Sequence, residues 1–143
     1  MKKLLCSLFA LSAVSTAMAQ EVNIKILGTS DIHGRVVPWS YGADVEDKSG
    51  SYAQIATYVK DVRKNNKNVV LVDVGDAIQD NQVDVFAKDK KYYKDHPIPK
   101  VLNEMKYDVF VLGNHEFNFG MKALDEILKD IKAKKLTANF YYK

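Results

Sequence analysis

The chain has 143 residues, which is enough for one modest domain with its own hydrophobic core. Its 21 basic and 18 acidic residues give a formal net charge of +3, which falls to +1 once Lys2 and Lys3 are removed with a leader. With no basic tail, internal repeat or low-complexity tract, this balance excludes the charged surface that binding to polymeric nucleic acid requires.

The first 19 residues are predicted to be a secretory signal peptide. Two lysines precede a short apolar stretch, residues 4–14, and residues 17–19, Ala-Met-Ala, form an Ala-x-Ala cleavage site. The only cysteine, Cys6, is lost with this leader, so the mature chain depends on core burial and not on disulfides. We therefore expect an exported protein, periplasmic, secreted or at the cell surface, without stable membrane insertion after cleavage.

The rest of the chain alternates between strand-like and helix-like segments. Apolar and β-branched runs predict strands at 22–27, 69–74 and 109–112, with a fourth beginning at 136–138. Apolar residues at helical spacing predict helices at 51–66, 98–106 and 121–134. Between them, 35–50 is predicted to be a loop that Trp39 and Tyr41 attach to the body, and 83–94 is ambiguous. Crossovers of this length predict the α/β class, with a mostly parallel sheet and helices against it.

Polar residues follow the first strand directly. Asp31 and His33 flank a single residue, and in an extended segment positions i and i+2 point to the same side. A carboxylate oxygen and an imidazole nitrogen can therefore face one cation. Asp-x-His alone is a common pattern, so a turn acid and an ordinary polar histidine remain the alternatives.

The second and third strands end in the same way. Asp76 follows Gly75 and is a better ligand candidate than Asp73, which we predict to be structural. Residues 114–116, Asn-His-Glu, follow Gly113, which we expect to let the backbone turn. Because chemistry in open α/β sheets sits at the carboxyl ends of the strands, three such endings predict a metal or phosphate site there.

Two other polar positions are given ordinary roles. Residues 79–81, Gln-Asp-Asn, are good helix-start residues, so capping is their expected function. His96 precedes a proline near a strongly charged tract and is expected to lie on the surface.

Together, the segments 29–35, 75–81 and 113–120 resemble the signature of the calcineurin-like metallophosphoesterases. More narrowly, they are similar to exported bacterial 2′,3′-cyclic-nucleotide 2′-phosphodiesterases of the 5′-nucleotidase family. The resemblance covers nearly all of the mature chain. It implies the N-terminal part of an αββα sandwich, with residues 20–143 forming a partial metallophosphoesterase domain truncated at its C-terminus.

The resemblance also implies a role for each motif residue. Asp31 and His33 would bind the first metal, Asp76 would bridge two metals, and Asn114 would bind the second. His115 would be the catalytic histidine, contacting the phosphate or protonating the leaving oxygen. Two divalent cations, typically about 3.5–4 Å apart, polarise a phosphoester and lower the pKa of bound water. Mn, Zn, Fe or Mg would fit, and the substrate would be a small-molecule nucleotide.

Two departures from the family pattern matter. Asn118 stands where the nucleotidase branch typically has an aspartate that orients the catalytic histidine. No histidine follows His115, because the later family ligands lie beyond Lys143. The second metal would then keep only Asp76 and Asn114, too few ligands for a tight site.

Three functions follow as hypotheses. The first is a metal-dependent phosphoester hydrolase, most simply a 2′,3′-cyclic-nucleotide 2′-phosphodiesterase, with a 5′-nucleotidase as the alternative that Asn118 disfavours. The second is an inactive truncated remnant or metal-binding module that holds at most one metal weakly. The third is an exported structural domain whose polar loops are plain turns. The oligomeric state is left open.

Overall fold

The computed structural model describes residues 21–138 and residue 140, so the expected signal peptide lies outside the described residues. The strands are β1 (Lys25–Thr29), β2 (Trp39–Ser40), β3 (Val45–Glu46), β4 (Val69–Asp73), β5 (Val109–Val111) and β6 (Lys134–Leu136). The helices are α1 (Tyr52–Asn65), α2 (Asp84–Lys88), α3 (Pro97–Glu104) and α4 (Met121–Lys129). Two 3-10 turns span Lys90–Asp95 and His115–Phe117. None of the described helices is both long and apolar enough to cross a lipid bilayer.

Four strands form one parallel sheet in the order β1-β4-β5-β6. Leu27 pairs with Leu71, Val72 with Val109, and Val111 with Leu136. The strand order advances in one direction only, and right-handed crossovers then place every connecting helix on the same face. The predicted α/β class with a mostly parallel sheet is confirmed.

The hydrophobic core lies between that face and the helices. Leu71 and Phe110 are fully buried at the centre of the sheet. The helices contribute a shared set of buried side chains, namely Tyr52, Val59, Ile98, Leu102, Leu124 and Ile127. A 14-residue helix such as α1 is marginal in water by itself, so this packing is what stabilises it.

The opposite face of the sheet is more open. Val70, Val72 and Val111 are half-buried there, and Ile26 is 73 % exposed. Parallel sheets are normally covered on both faces. The described residues thus form one helix layer packed against one face of a four-stranded parallel sheet.

Helix α4 ends earlier than predicted, at Lys129, and β6 begins earlier, at Lys134. The cause is tertiary. Asn103 of α3 donates from Nδ2 to the Asp130 carbonyl at 2.7 Å and accepts from the Lys132 N–H at 2.8 Å. These bonds take up backbone groups that a continuing helix would need.

The segment predicted as a plain loop contains a short antiparallel hairpin, in which β2 and β3 have two residues each. Trp39 and Tyr41 are 39 % and 59 % exposed and line one surface pocket together with Phe86 and Pro97, so their role in attaching the loop stays a prediction. Arg35 closes the segment on itself, because its guanidinium contacts Ser49 Oγ and lies 3.4 Å from Asp47 Oδ2.

His96 is buried, with 1 % of its surface exposed, and the expectation of a surface residue is wrong. Its Nδ1 accepts the N–H of Ile98 at 3.3 Å and so caps α3. Its ring packs edge-on against Phe86 with centroids 6.2 Å apart. Burial lowers the pKa of His96 to about 4, so the ring is neutral near pH 7.

Candidate functional site

The loops after β1 and β4 continue to bond to each other beyond the ends of the strands. The N–H of Asp31 donates to the Gly75 carbonyl at 3.1 Å, and the N–H of His33 donates to the Asp76 carbonyl at 2.9 Å. The loops that carry the predicted ligands are therefore held together by backbone bonds, at the carboxyl edge of the sheet.

Two glycines bring the loop after β5 against the loop after β4. A Cβ at Gly75 would lie 2.1 Å from the Gly113 nitrogen, and a Cβ at Gly113 would lie 2.3 Å from Asp76 Oδ1. Gly75 also has φ +101°, whereas Gly113 does not lie in the left-handed region. Gly113 is thus needed for close approach and not for the turn that the sequence suggested.

Glu116 connects the same two loops. It is fully buried, and its carboxylate accepts the N–H groups of Gly113, Asp76 and Ala77 at 2.7–2.8 Å. Both oxygens are committed to backbone donors, so Glu116 organises the site and is not available as a ligand.

The side chains of His33, Asp76 and His115 converge on one point. Each offers a ligand atom, and these atoms all lie within 4.8 Å of one another. The two imidazole rings meet edge to face with centroids 5.0 Å apart, and Asp76 Oδ1 accepts the backbone N–H of His115 at 2.8 Å. Two imidazoles and a carboxylate suit Zn, Mn or Fe, and three protein ligands leave positions open for substrate. The donor set therefore fits a catalytic metal.

The remaining two predicted ligands are placed differently. Asp31 Oδ1 lies 3.9 Å from His33 Nε2, but the Asp31 side chain is 60 % exposed and stands outside the three-residue group. Asn114 is exposed at the start of the 3-10 turn, where its carbonyl accepts the N–H of Phe117. The structure thus brings His33, Asp76 and His115 together and leaves Asp31 beside them.

Behind the site, Asp73 is fully buried. Its carboxylate accepts from Thr29 Oγ1 at 2.7 Å, from the Tyr52 hydroxyl at 3.2 Å and from the Gly75 N–H at 3.0 Å. Burial raises the pKa of Asp73, and burial also raises the pKa of Tyr107 to about 12. These contacts agree with the structural role predicted for Asp73.

Two site residues were missed by the sequence analysis, which had treated them as helix caps. Gln79 Oε1 lies 2.9 Å from His115 Nδ1. Asp80 Oδ2 lies 3.3 Å from His33 Nδ1 and 3.6 Å from His115 Nδ1. At this turn Asp84 Oδ1 accepts the Asp80 N–H, and no side chain caps the helix that follows. Asp80 adopts φ +77°, a conformation that residue type alone does not reveal.

Comparison with known proteins places this site in context. A family model described as calcineurin-like phosphoesterase matches residues 24–142. The trifunctional nucleotide phosphoesterase protein YfkN of Bacillus subtilis (strain 168) is 40 % identical over 119 residues, covering 78 % of this chain and 8 % of that protein. A 2′,3′-cyclic-nucleotide 2′-phosphodiesterase/3′-nucleotidase of Haemophilus influenzae is 37 % identical over 131 residues, covering 88 % of this chain and 20 % of that protein.

The fold comparison agrees with the sequence comparison. The crystal structure of calcineurin-like phosphoesterase YfkN from Bacillus subtilis superposes with a TM-score of 0.75 at 38 % identity, covering 82 % of this chain and 37 % of that chain. The chain spans a fifth or less of the length of the two curated relatives above. Since the family model matches residues 24–142, well over half of the sequence, the chain belongs to the calcineurin-like phosphoesterase family.

Proposed function

We propose that the chain carries the metal centre of a nucleotide phosphoester hydrolase. The observation that supports this most is the convergence of His33, Asp76 and His115 within 4.8 Å, at the carboxyl ends of parallel strands. The names of the two curated relatives, which are nucleotide phosphoesterases, support a small-molecule nucleotide as substrate.

In this proposal His33 and Asp76 hold a divalent cation, and Asp31 and Asn114 complete the ligand set as the family resemblance implies. A cation bound there supplies Lewis-acid polarisation of the phosphoester and lowers the pKa of bound water. Whether one or two ions bind, and whether they are Mn, Zn, Fe or Mg, belongs to the proposal as well.

His115 acts on the proton of the leaving group. Its Nδ1 lies 2.9 Å from Gln79 Oε1, and in the tautomer with the ring proton on Nδ1 this contact is a hydrogen bond to that acceptor. Nε2 is then the nitrogen that faces substrate, and in the protonated ring it can donate to the departing ribose oxygen. Asn118 Nδ2, 3.2 Å from Nδ1, adds no charge to this ring. For that reason we favour a 2′,3′-cyclic-nucleotide 2′-phosphodiesterase over a 5′-nucleotidase.

We further propose that residues 20–143 are the N-terminal portion of a larger exported domain. The open valine face of the sheet and the greater length of the relatives support further polypeptide in the complete domain. The intact mass of the native protein from its own source tests this. A mass far above that of the mature chain supports the proposal, and a mass equal to it contradicts it.

Metal content after dialysis, followed by hydrolysis of 2′,3′-cyclic AMP and of 5′-AMP with and without Mn²⁺, tests the proposed function. We expect the chain to retain metal and to prefer the cyclic substrate. Preference for 5′-AMP would move the assignment to the 5′-nucleotidases. Retained metal without turnover would favour a metal-binding module, and no metal would contradict the centre itself.

Two substitutions separate the roles. We expect His115→Ala to abolish turnover while metal stays bound, and Asp76→Asn to lose metal because a bridging carboxylate becomes a neutral amide. Asp61→Asn, on the exposed side of α1, is the matched control and should change neither property. Full turnover in His115→Ala would remove that residue from the mechanism.

A further inference from the structure

We infer that the surface pocket lined by Trp39 and Tyr41 holds the base of the nucleotide substrate. The inference rests on the proposed function and extends it to residues outside the predicted ligand set. The pocket, called the aromatic cavity below, has a volume of about 370 Å³, within the range of small-molecule sites. Its walls are mainly aromatic and aliphatic side chains, namely Val37, Trp39, Tyr41, Val83, Phe86 and Pro97.

The aromatic cavity adjoins the candidate metal centre through the backbone. Gly34 lines the cavity and directly follows His33, and Asn81 lines it and directly follows Asp80. The two loops also pack on each other, because a Cβ on Gly34 would lie 2.2 Å from a methyl carbon of Val83. The same two chain segments therefore form a wall of the cavity and carry residues of the centre. A ligand bound by its phosphate at the centre has the aromatic cavity as its immediate neighbour.

The rings of Trp39 and Tyr41 are presented by a hairpin whose backbone is held in place. The Pro38 carbonyl accepts the N–H of Asp47 at 3.0 Å and so closes the hairpin. Ahead of it, the Arg35 carbonyl accepts the first N–H of α1 at 3.0 Å and ties the segment to the body. A wall that is already ordered has less conformational entropy to lose when a ligand binds.

The chemistry of the lining suits a neutral planar ring and not a phosphate. Arg35 is the one charged residue among the described residues that line the cavity, and its guanidinium lies 3.4 Å from Asp47 Oδ2, which balances its charge. Aromatic side chains stack on any base, because every base has a π-face. Asn81 and Gln82 also line the cavity, and their amide groups can both donate to and accept from a base edge. The phosphate thus belongs at the metal centre and the base in the aromatic cavity.

Trp39 is the only tryptophan in the chain, so its fluorescence reports directly on the aromatic cavity. The test titrates adenosine and ribose 5-phosphate separately into the metal-free full chain. The first compound carries the base without a phosphate, and the second carries a phosphate without the base. We expect saturable quenching by adenosine and none by ribose 5-phosphate. No quenching by adenosine, or equal quenching by both compounds, would overturn the inference and leave the rings as a surface for further polypeptide of the domain.

A pair of variants then tests the cavity wall, with Trp39 kept as the reporter. Tyr41 is 59 % exposed and Tyr58, on α1 and outside the cavity, is 62 % exposed, so neither Tyr41→Ala nor Tyr58→Ala should impair folding. We expect Tyr41→Ala to weaken adenosine binding by about 5- to 150-fold, the range for the loss of one ring stacked on a base. Tyr58→Ala should stay within about 2-fold of wild type, as for other exposed substitutions away from a site. Wild-type affinity in Tyr41→Ala would overturn the inference.

The outcomes separate this inference from the proposed function. Adenosine carries no phosphate and the titration uses no metal, so neither depends on the metal centre. Retained metal without adenosine quenching would overturn the base site and leave the metal centre standing. Adenosine quenching in a chain that retains no metal after dialysis would support the base site and contradict the metal centre.

Discussion

Glu116 shows how a single buried carboxylate can assemble a site without touching its chemistry. Its two oxygens accept three N–H groups, from Gly113, Asp76 and Ala77, which belong to two different loops. The N–H groups of Asp76 and Ala77 would be buried and unsatisfied without it, at a cost of about 1–3 kcal/mol for each such group. The residue therefore fixes the position of Asp76 relative to the turn that carries His115.

Replacing Glu116 with Gln is expected to lower the free energy of unfolding by about 2 kcal/mol and to weaken metal binding. One acceptor oxygen becomes an NH₂ group that faces N–H donors. Urea unfolding and Mn²⁺ titration measure the two effects. The control is Glu126→Gln, since Glu126 pairs with Lys129 on the solvent side of α4 and its loss should leave the free energy of unfolding nearly unchanged. Equal effects of the two substitutions would contradict the role given to Glu116.

The sequence could locate the site but not its contacts. The residue types after each strand predicted that Asp31, His33, Asp76, Asn114 and His115 lie at one edge of the sheet. Glu116 was grouped with the ligands, because nothing in the sequence shows that three N–H groups converge on it. Gln79 and Asp80 were assigned to capping, because their reach to the histidines depends on a left-handed turn.

At the level of elements, the loops that follow β4 and β5 contact each other through the backbones of two glycines. The contact between Gly75 and Gly113 leaves no room for a side chain on either residue. The ends of these strands therefore approach more closely than any other residue type would permit, and Asp76 and His115 are brought within reach of one cation as a result.

Gly75→Ala is expected to cost about 3 kcal/mol or more in unfolding free energy. The new Cβ would lie 2.1 Å from a backbone nitrogen and would require φ +101° of an alanine. Gly42→Ala is the matched control, because no atom lies within 4 Å of its Cβ and its φ is not positive, so a change within about 0.5 kcal/mol is expected. Thermal unfolding of both variants checks this, and wild-type stability in Gly75→Ala would show that the strand ends can separate freely.

For the molecule as a whole, the sequence predicted the class of fold better than it predicted the burial of single residues and the ends of helices. Alternating strands and helices predicted a parallel sheet, and the one-directional strand order then placed the helices on one face. Burial of His96 and the end of α4 at Lys129 both depend on neighbours distant in sequence, Phe86 and Asn103. The local sequence pattern does not indicate contacts with residues distant in sequence, so both features were predicted wrongly.

The stability of the whole molecule should depend on His96 in mildly acidic solution. The pKa of this ring is about 4 when folded and about 6.5 in an unfolded chain, so the unfolded state binds the proton more tightly. The contribution is fully present above pH 6.5 and is lost as the pH falls toward 4, by about 3 kcal/mol in total. Asp84, which faces the ring, moderates this loss without removing it.

His96→Asn isolates the effect, because asparagine is a preferred N-cap and can accept the Ile98 N–H without titrating. We expect wild type to lose stability relative to this variant between pH 6.5 and pH 4, as measured by urea unfolding without added metal. The carboxylates are the same in both proteins, so their contribution to the free energy of unfolding cancels in the difference. A difference that stays constant across this range would contradict the burial of a neutral His96.

The left-handed residues at the site have a consequence for how such a chain changes over generations. Asp31, His33, Asp76 and Asp80 have φ between +50° and +77°. At each of these positions, glycine would lower the conformational energy of the backbone by roughly 1 kcal/mol. Selection for heat resistance alone would replace them one by one, and each replacement would remove a polar group from the candidate centre. A laboratory population screened only for melting temperature should therefore accumulate glycines at these four positions and keep its fold while it loses the proposed metal site.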